Sequence, residues 1–317
     1  MRLNALYLMA IMLGIKSDPR GEDAIKNLLA EQQKKYNDMP EKEKSDYDLE
    51  ELRNPYADTR ILFGDEELEV KKVLAGIDVE VAELLLADRL REKNVHFDVV
   101  IGHHPEGTAL ASLYKVMHLQ EDILAGLGVP INLAEGLLSG RISEVRRGLM
   151  PVNHNRSVDA ARILNIPYMC VHTPTDNLVA QFLRDFLNEA ETRTIGKIVD
   201  ILKTIPEFKA AQTINAGPSI VVGSAEKRSG RLFVDMTGGT GGPEAMYEKL
   251  AQAGVGTVIV MHITDKHRKE AEKHHVNVIN AGHIASDSLG MNLFLDEIEK
   301  AGIEVDVFAG LIRHKRV

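Results

Sequence analysis

Short apolar runs alternate with longer segments of helical periodicity over most of this chain. From residue 71 onward, the runs VLAGIDV, FDVVIGHH and PYMCVHTP have the length and composition of buried strands. Segments such as EVAELLLADRLREK and SVDAARILN repeat apolar residues every three or four positions, which predicts amphipathic helices. We also predict one helix over ALASLYKVMHLQEDILAGLG and a strand at VPINLAEG. This alternation predicts an α/β fold with a largely parallel sheet.

The alternation restarts in the C-terminal part, after a mainly helical stretch over residues 178–212. The strands predicted there are SIVVG, RLFVDM, GTVIVM, VNVINAGH and IEVDVFAG, and PEAMYEKLAQAG and SLGMNLFLDEIEKAG are predicted helices. We therefore predict two α/β halves, over residues 67–195 and 196–317, with mainly parallel or mixed sheets flanked by helices. A mainly helical extension over residues 1–66 precedes them.

Charge and composition narrow the classes of function. Lys and Arg number 38 against 47 Asp and Glu, a net charge of −9, so we expect no strong nucleic-acid binding. One Cys excludes an intrachain disulfide and a cysteine-built zinc site, whereas 12 His offer imidazole as a metal ligand. The apolar run LNALYLMAIMLGI is too short to cross a bilayer as a helix. We expect a cytoplasmic protein that does not bind membranes.

The histidines are concentrated at the ends of predicted strands, where five of the 12 occur: His103, His104, His172, His262 and His283. Because ligands bind outside the carboxyl ends of strands in α/β sheets, we expect these side chains on one rim. A Pro and a Gly follow the adjacent pair and turn the backbone, so both rings can face one site. Neutral imidazole suits Zn, Mn, Fe, Co or Ni, and the pair can serve one ion or two. Two partly exposed loop histidines are the alternative.

Acidic residues accompany two of these strand ends. Asp287 follows His283 by four residues, so both lie on one face if the helix begins near His283. Asp176 lies in HTPTDNLV, just beyond the strand. The alternative for each acid is an N-cap, with Ser286 as a second capping candidate, since Ser and Asp are common helix caps. Together with the histidines, a shared metal site is the interpretation we favour.

Three segments, VVIGHHP, VHTPTD and INAGHIASDSLGMN, resemble in this order the metal-binding motifs of the NGG1p interacting factor 3 (NIF3) family. The resemblance runs from about Lys71 to the C-terminus. It implies two α/β halves that face a centre of two divalent metal ions in the cleft between them, in chains assembled as a hexameric ring. The ligands that it implies are His103, His104, Asp176, His283 and Asp287.

The chain departs from the family close to these ligands. The last ligand is usually Glu, which is one methylene longer than Asp287, and Glu106 follows the HHP segment where apolar residues are usual. VMHITDKH replaces a segment that in many members ends in another His, which makes His262 a candidate extra ligand or proton shuttle. Glu106, His172 and His262 are our candidates for the general acid or base, and a structural role is the alternative for each.

A glycine-rich loop, TGGTGG, follows the strand RLFVDM and precedes a predicted helix. Backbone N–H groups of Gly238, Gly239 and Gly241 are candidates for binding a phosphate at such a turn. The loop matches neither the Walker pattern nor G-x-G-x-x-G, and a tight turn that allows close packing is the alternative.

The predicted function is metal-assisted hydrolysis, because paired metal ions lower the pKa of water and polarise a substrate oxygen. No G-x-S-x-G nucleophile segment is present. We predict a phosphorylated or nucleotide-like small molecule as substrate. Family members are often labelled as homologues of a GTP-opening cyclohydrolase of type 2, but nothing in these residues selects GTP. The alternative is a non-catalytic protein for metal binding or trafficking, or a regulatory ring that binds a partner.

Overall fold

Two β-sheets organise the chain in a computed structural model that describes residues 1–190 and 192–316. The strands are β1 (Arg60–Phe63), β2 (Lys72–Gly76), β3 (Val99–Gly102), β4 (Tyr168–Cys170), β5 (Ser219–Val222), β6 (Arg231–Asp235), β7 (Val255–Val260), β8 (Asn277–Asn280) and β9 (Glu304–Val307). The first sheet has the order β1-β4-β3-β2-β9, and only its edge strand β1 is antiparallel to its neighbour. The second has the order β5-β8-β7-β6, with β5 as the antiparallel edge.

Helices flank both sheets. They are α1 (Leu3–Lys16), α2 (Glu22–Asp38), α3 (Glu41–Lys44), α4 (Val81–Glu92), α5 (Gly107–Ala111), α6 (Leu113–Val116), α7 (Leu119–Gly126), α8 (Ile131–Leu149), α9 (Arg156–Ile163), α10 (Thr173–Asn188), α11 (Ile195–Leu202), α12 (Pro206–Gln212), α13 (Met246–Gln252), α14 (Asp265–Lys273) and α15 (His283–Lys300), with a 3₁₀ helix over Leu49–Leu52. The predicted α/β class with two sheets is confirmed. In the described ranges, no helix has the length and apolar character needed to span a membrane.

Two of the predicted elements are wrong. VPINLAEG is not a strand but the start of α8, because Ala134, Leu138 and Ile142 recur every fourth residue and form its buried face. The apolar run at the beginning of that helix is too short to reveal this period. The single helix predicted over residues 109–128 is broken into α5, α6 and α7, since the backbone leaves the helical conformation at Ser112 and turns again near His118.

Helix α15 joins the cores of the two sheets. Its residues Met291, Phe294 and Leu295 are buried with the first sheet and with α1. Its residues Ala285 and Leu289 are buried with the second sheet and with α10. The chain then returns to the first sheet, where β9 pairs in parallel with β2. The beginning of α15 is therefore held from both sides, which fixes the direction of the side chains on its first turns.

Candidate metal centre

The three histidines that follow strands of the first sheet all have an anchored Nδ1 atom. Nδ1 of His103 lies 3.1 Å from the carbonyl oxygen of Val171. Nδ1 of His104 lies 2.6 Å from Asp78, and that of His172 lies 2.7 Å from Asp58. Since a carbonyl or carboxylate oxygen accepts, each Nδ1 is the donor and each Nε2 is the nitrogen left to bind an ion. This orientation is typical of histidines that bind a metal through Nε2.

Asp58 and Asp78 were missed by the sequence analysis. Asp58 is fully buried and precedes β1, and besides His172 it accepts a hydrogen bond of 2.6 Å from the Thr173 hydroxyl. Asp78 follows β2 and lies in VLAGIDV, at the end of a predicted strand. The position of Asp78 at the end of a predicted strand was the one feature of the sequence that could have indicated its role. For Asp58 the sequence offered no such feature.

Helices α10 and α15 bring the acidic side chains to the same place. Asp176 is buried in the first turn of α10 and Asp287 in the second turn of α15, and the residues that cap the helices are His172 and Gly282. Neither acid is therefore the N-cap. Ser286 is no cap either, because its hydroxyl donates to the carbonyl oxygen of Gly282. Both carboxylates are left free to face the histidines.

Asp287 faces two groups of candidate ligand atoms through different oxygens. Its Oδ1 lies 3.5 Å from Nε2 of His103, which is 3.6 Å from Oδ1 of Asp176. Its Oδ2 lies 3.5 Å from Nε2 of His104 and 3.6 Å from Nε2 of His283. Ligands about 2.0–2.1 Å from a tetrahedral ion stand about 3.3 Å apart, so these separations suit a shared ion with small adjustments.

Several of these atoms are buried without a hydrogen-bond partner. They are Nε2 of His103, Oδ1 of Asp176 and both carboxylate oxygens of Asp287. A buried polar atom without a partner is costly, and in a native protein it calls for an explanation such as an ion. Among the residues that the structure describes, three sets of three have candidate ligand atoms within 4.8 Å of one another, and one set contains His172 with His103 and His104. The donor set of imidazole and carboxylate fits a divalent transition metal.

The charge distribution of the cluster is uneven. Burial lowers the pKa of His103 to about 4, so this ring is neutral. Burial also acts to lower the pKa of His104, but the facing carboxylates of Asp287 and Asp78 overcome it and raise the pKa to about 10. Burial raises the pKa of Asp176 to about 7. For Asp287 burial acts in the same direction, but the facing histidines hold its pKa well below the usual range. Asp176 and Asp287 are thus two buried carboxyl groups, and a bound cation would supply positive charge to both.

The three candidates for the acid or base lie in different surroundings. His172 is buried beside the ligand atoms, and its Nε2 lies 3.8 Å from Asp176, so it is placed as a ligand as much as a proton carrier. Glu106 is half-buried, and burial raises its pKa. His262 is exposed, and its ring centroid lies 4.9 Å from that of His283.

A cavity of about 350 Å³ opens over the cluster. Its wall includes Thr237, Gly239, Thr240 and Gly241 of the glycine-rich loop, and Asp235, which the sequence analysis missed. Helix α13 begins at Met246, after the glycine-rich loop has ended, so these glycines do not form its first turn. Positive φ angles at Gly238 and Gly239 turn the loop against α6 and α7, where added Cβ atoms would meet Gln120 and Val116 at 2.6 and 2.7 Å.

Two mixed sheets and a buried His/Asp cluster fit a metal-binding α/β protein, and solved structures agree with this class. The chain is similar to a NIF3 superfamily protein from Sphaerobacter thermophilus, with a TM-score of 0.71 and 28% identity, covering 82% of this chain and 94% of that chain. Its fold is also similar to that of reduced HcgD from Methanocaldococcus jannaschii, with a TM-score of 0.50 and 15% identity, covering 78% and 87% of the two chains. No family model and no curated protein matches. The resemblance to the NIF3 family is confirmed.

Proposed function

We propose that this protein binds two divalent metal ions and hydrolyses a phosphorylated or nucleotide-like small molecule. The observation that carries the proposal is the position of Asp287. One of its oxygens faces His103, close to Asp176, and the other faces His104 and His283. A carboxylate that points its two oxygens at two ligand groups is the expected bridge of a dinuclear centre, and Asp287 therefore replaces the usual Glu.

The side chains of this chain would divide the work as follows. His103 and Asp176 would hold one ion, His104 and His283 the other, and His172 would complete one of the two sets. Divalent metals, when bound, lower the pKa of water and polarise a substrate oxygen. The imidazole and carboxylate ligands suit Zn, Mn, Fe, Co or Ni. Glu106 and His262, which line the cavity, are candidates for carrying protons in the reaction.

The cavity wall supports a small organic substrate. Leu110, Leu113, Met236, Val260 and Met261 line it and would exclude water from one side of a bound molecule. The hydroxyl of Thr240, with the backbone of Gly239 and Gly241, would provide polar contacts for a phosphoryl group, whereas the hydroxyl of Thr237 already donates to Oδ1 of Asn177. We retain the glycine-rich loop as a proposed substrate contact, in addition to its close packing against α6 and α7.

Metal analysis of single variants tests the dinuclear arrangement. Wild-type protein loaded with Mn or Zn and then desalted should carry about two ions per chain. His283→Ala and Asp176→Ala should each lose about one of them, and Asp287→Ala should lose both, because Asp287 faces both groups. Asp200→Ala, at an exposed position on α11, is the control. Equal metal content in Asp287→Ala and His283→Ala would contradict the bridge.

Turnover separates the hydrolase from the non-catalytic alternative. The metal-loaded protein is assayed on phosphate monoesters, phosphodiesters and nucleotides, and we expect hydrolysis of at least one class. His104→Ala, checked for folding by circular dichroism, should lose at least about 100-fold in kcat/KM. A protein that binds both ions but hydrolyses none of these compounds would favour metal trafficking or a regulatory role.

We also propose that the chains assemble into the hexameric ring that the resemblance implies. Large apolar side chains are exposed on α4 and α9, among them Leu85, Leu86 and Ile163, and contacts between chains would cover such residues. Light scattering coupled to size exclusion should give about six times the chain mass of 35.1 kDa. A stable monomer would rule the ring out.

A further inference from the structure

One carboxyl group in the cavity has no partner. Asp235 is the last residue of β6, and in the sheet it is aligned with Val260 of β7. It therefore stands at the carboxyl edge of the second sheet, where His262 also emerges two residues after β7. Asp235 lines the same cavity as His104 and Asp287. Among the residues that the structure describes, none forms a hydrogen bond or an ion pair with its side chain.

The surroundings of this carboxyl favour its protonated form. Met236, Met261 and Leu113 contribute apolar surface to the same wall. Burial alone raises the pKa of Asp235 to about 7, and no charged group opposes it. Tyr247 is a titratable neighbour of Asp235. Burial and the charge of Asp235 raise the pKa of Tyr247. An isolated carboxyl in an apolar part of a site is the usual arrangement of a carboxylic general acid.

Other proton donors in the cavity are less suited to the same task. No Lys or Arg lines the cavity in the described part of the chain. Glu106 also has a raised pKa, but Arg156 lies near enough to oppose that shift. His104, His172 and His283 face the proposed ligand cluster, and His262 is exposed. Asp235 is the carboxyl of this wall that combines access to the cavity with freedom from any ion pair.

We propose that Asp235 is the general acid of the hydrolysis and donates its carboxyl proton to the leaving oxygen of the substrate. This role rests on the proposed function. In the step, the bond between phosphorus and the leaving oxygen breaks, and its electron pair goes to that oxygen together with the proton of Asp235. Water supplies the oxygen of the new bond to phosphorus. A proton released from that water, through solvent, restores the Asp235 carboxyl, so that one water is consumed for each alcohol and phosphate formed.

The dependence on the leaving group tests this role. A good leaving group such as 4-nitrophenolate departs without a proton, whereas phenolate gains from a general acid. Metal-loaded wild type and Asp235→Asn are therefore compared on 4-nitrophenyl phosphate and phenyl phosphate. We expect kcat on phenyl phosphate to fall by about 100-fold or more in Asp235→Asn, and kcat on 4-nitrophenyl phosphate to change by only a few fold. Asp200→Asn is the control for a surface carboxyl, and Glu106→Gln tests the rival acid.

Each outcome decides the role of Asp235. Equal losses on the two esters, or loss of bound metal in Asp235→Asn, would overturn it in favour of a structural or ligand role. A selective loss on phenyl phosphate in Glu106→Gln instead would transfer the role to Glu106. If Asp235→Asn changed kcat on neither ester, the acid role of Asp235 would be overturned and the proposed hydrolysis would still stand. If wild type hydrolysed neither ester nor any other phosphate compound, the proposed function would fail and the acid role with it.

Discussion

Individual hydrogen bonds decide how the histidines of the cluster are presented. A histidine ring has two nitrogens, and the partner of one determines what the other can bind. In this protein Asp58 and Asp78 accept from His172 and His104, and the Val171 carbonyl accepts from His103. Three Nε2 atoms are thereby turned to one place. The acceptors thus contribute to the site although the metal would never contact them.

Asp58→Asn should weaken metal binding without abolishing it. The amide keeps the size of the side chain but can present its N–H₂ to His172, which removes the acceptor that orients the ring. Loss of such a partner typically costs 10–100-fold in metal affinity. Competition with a chromophoric chelator measures the affinity, and Asp23→Asn on the exposed face of α2 serves as the control. Wild-type affinity in Asp58→Asn would show that packing alone holds the ring.

The unpartnered Asp235 carboxyl makes stability depend on pH. Its pKa rises from 3.8 to about 7 on folding, so the folded protein binds the extra proton between these values. The stabilisation is complete below about pH 4 and is lost as the pH rises through about 7, by at most about 4 kcal/mol. In urea unfolding of the metal-free protein, Asp235→Asn should therefore gain stability relative to wild type between pH 5 and pH 8. A relative stability that is the same at both pH values would contradict this.

At the scale of elements, two glycines set the position of helix α10. Gly14 of α1 contacts Pro174, where an added Cβ would come within 2.8 Å of its Cα atom. Gly290 of α15 contacts Thr175, where an added Cβ would come within 2.4 Å of the carbonyl oxygen. Backbone atoms cannot yield as a flexible side chain can. The close approach of α10 and α15 also brings Asp176 and Asp287 to the same histidine, His103.

Gly290→Ala should separate these two helices and affect both stability and metal binding. The new methyl group forces α15 away from Thr175, and overpacking of this kind typically costs about 1–3 kcal/mol. Gly140→Ala in α8 is a matched control, since nothing lies within 4 Å of an added Cβ there. That variant should gain up to about 1 kcal/mol from helix propensity. Thermal unfolding and metal titration of both variants test the prediction, which fails if Gly290→Ala binds metal as wild type does.

At the scale of the whole molecule, local periodicity predicted the order of strands and helices but not their partners. The strand ends with His103 and His172 were predictable, because a carboxyl edge follows from the alternation itself. Asp58 was not, because it meets His172 only when β1 pairs antiparallel with β4, more than a hundred residues along the chain. The pairing of β9 with β2 could not be predicted either. Such contacts depend on the pairing of strands that are distant in sequence, and the periodicity of helices and strands does not predict that pairing.

The same long-range arrangement would make a bound metal a link between parts of the fold. His103, His104, His172 and Asp176 follow strands of the first sheet, whereas His283 and Asp287 open the helix that follows β8 of the second. Ions that bind only the folded chain stabilise it, by about 2.7 kcal/mol at a free concentration of 100 Kd. Removal of metal by a chelator should therefore lower the midpoint of unfolding in urea. In Asp287→Ala the chelator should have no effect, because the residue shared by both ligand groups is gone. An equal shift in wild type and in this variant would mean that the stabilising ion binds elsewhere.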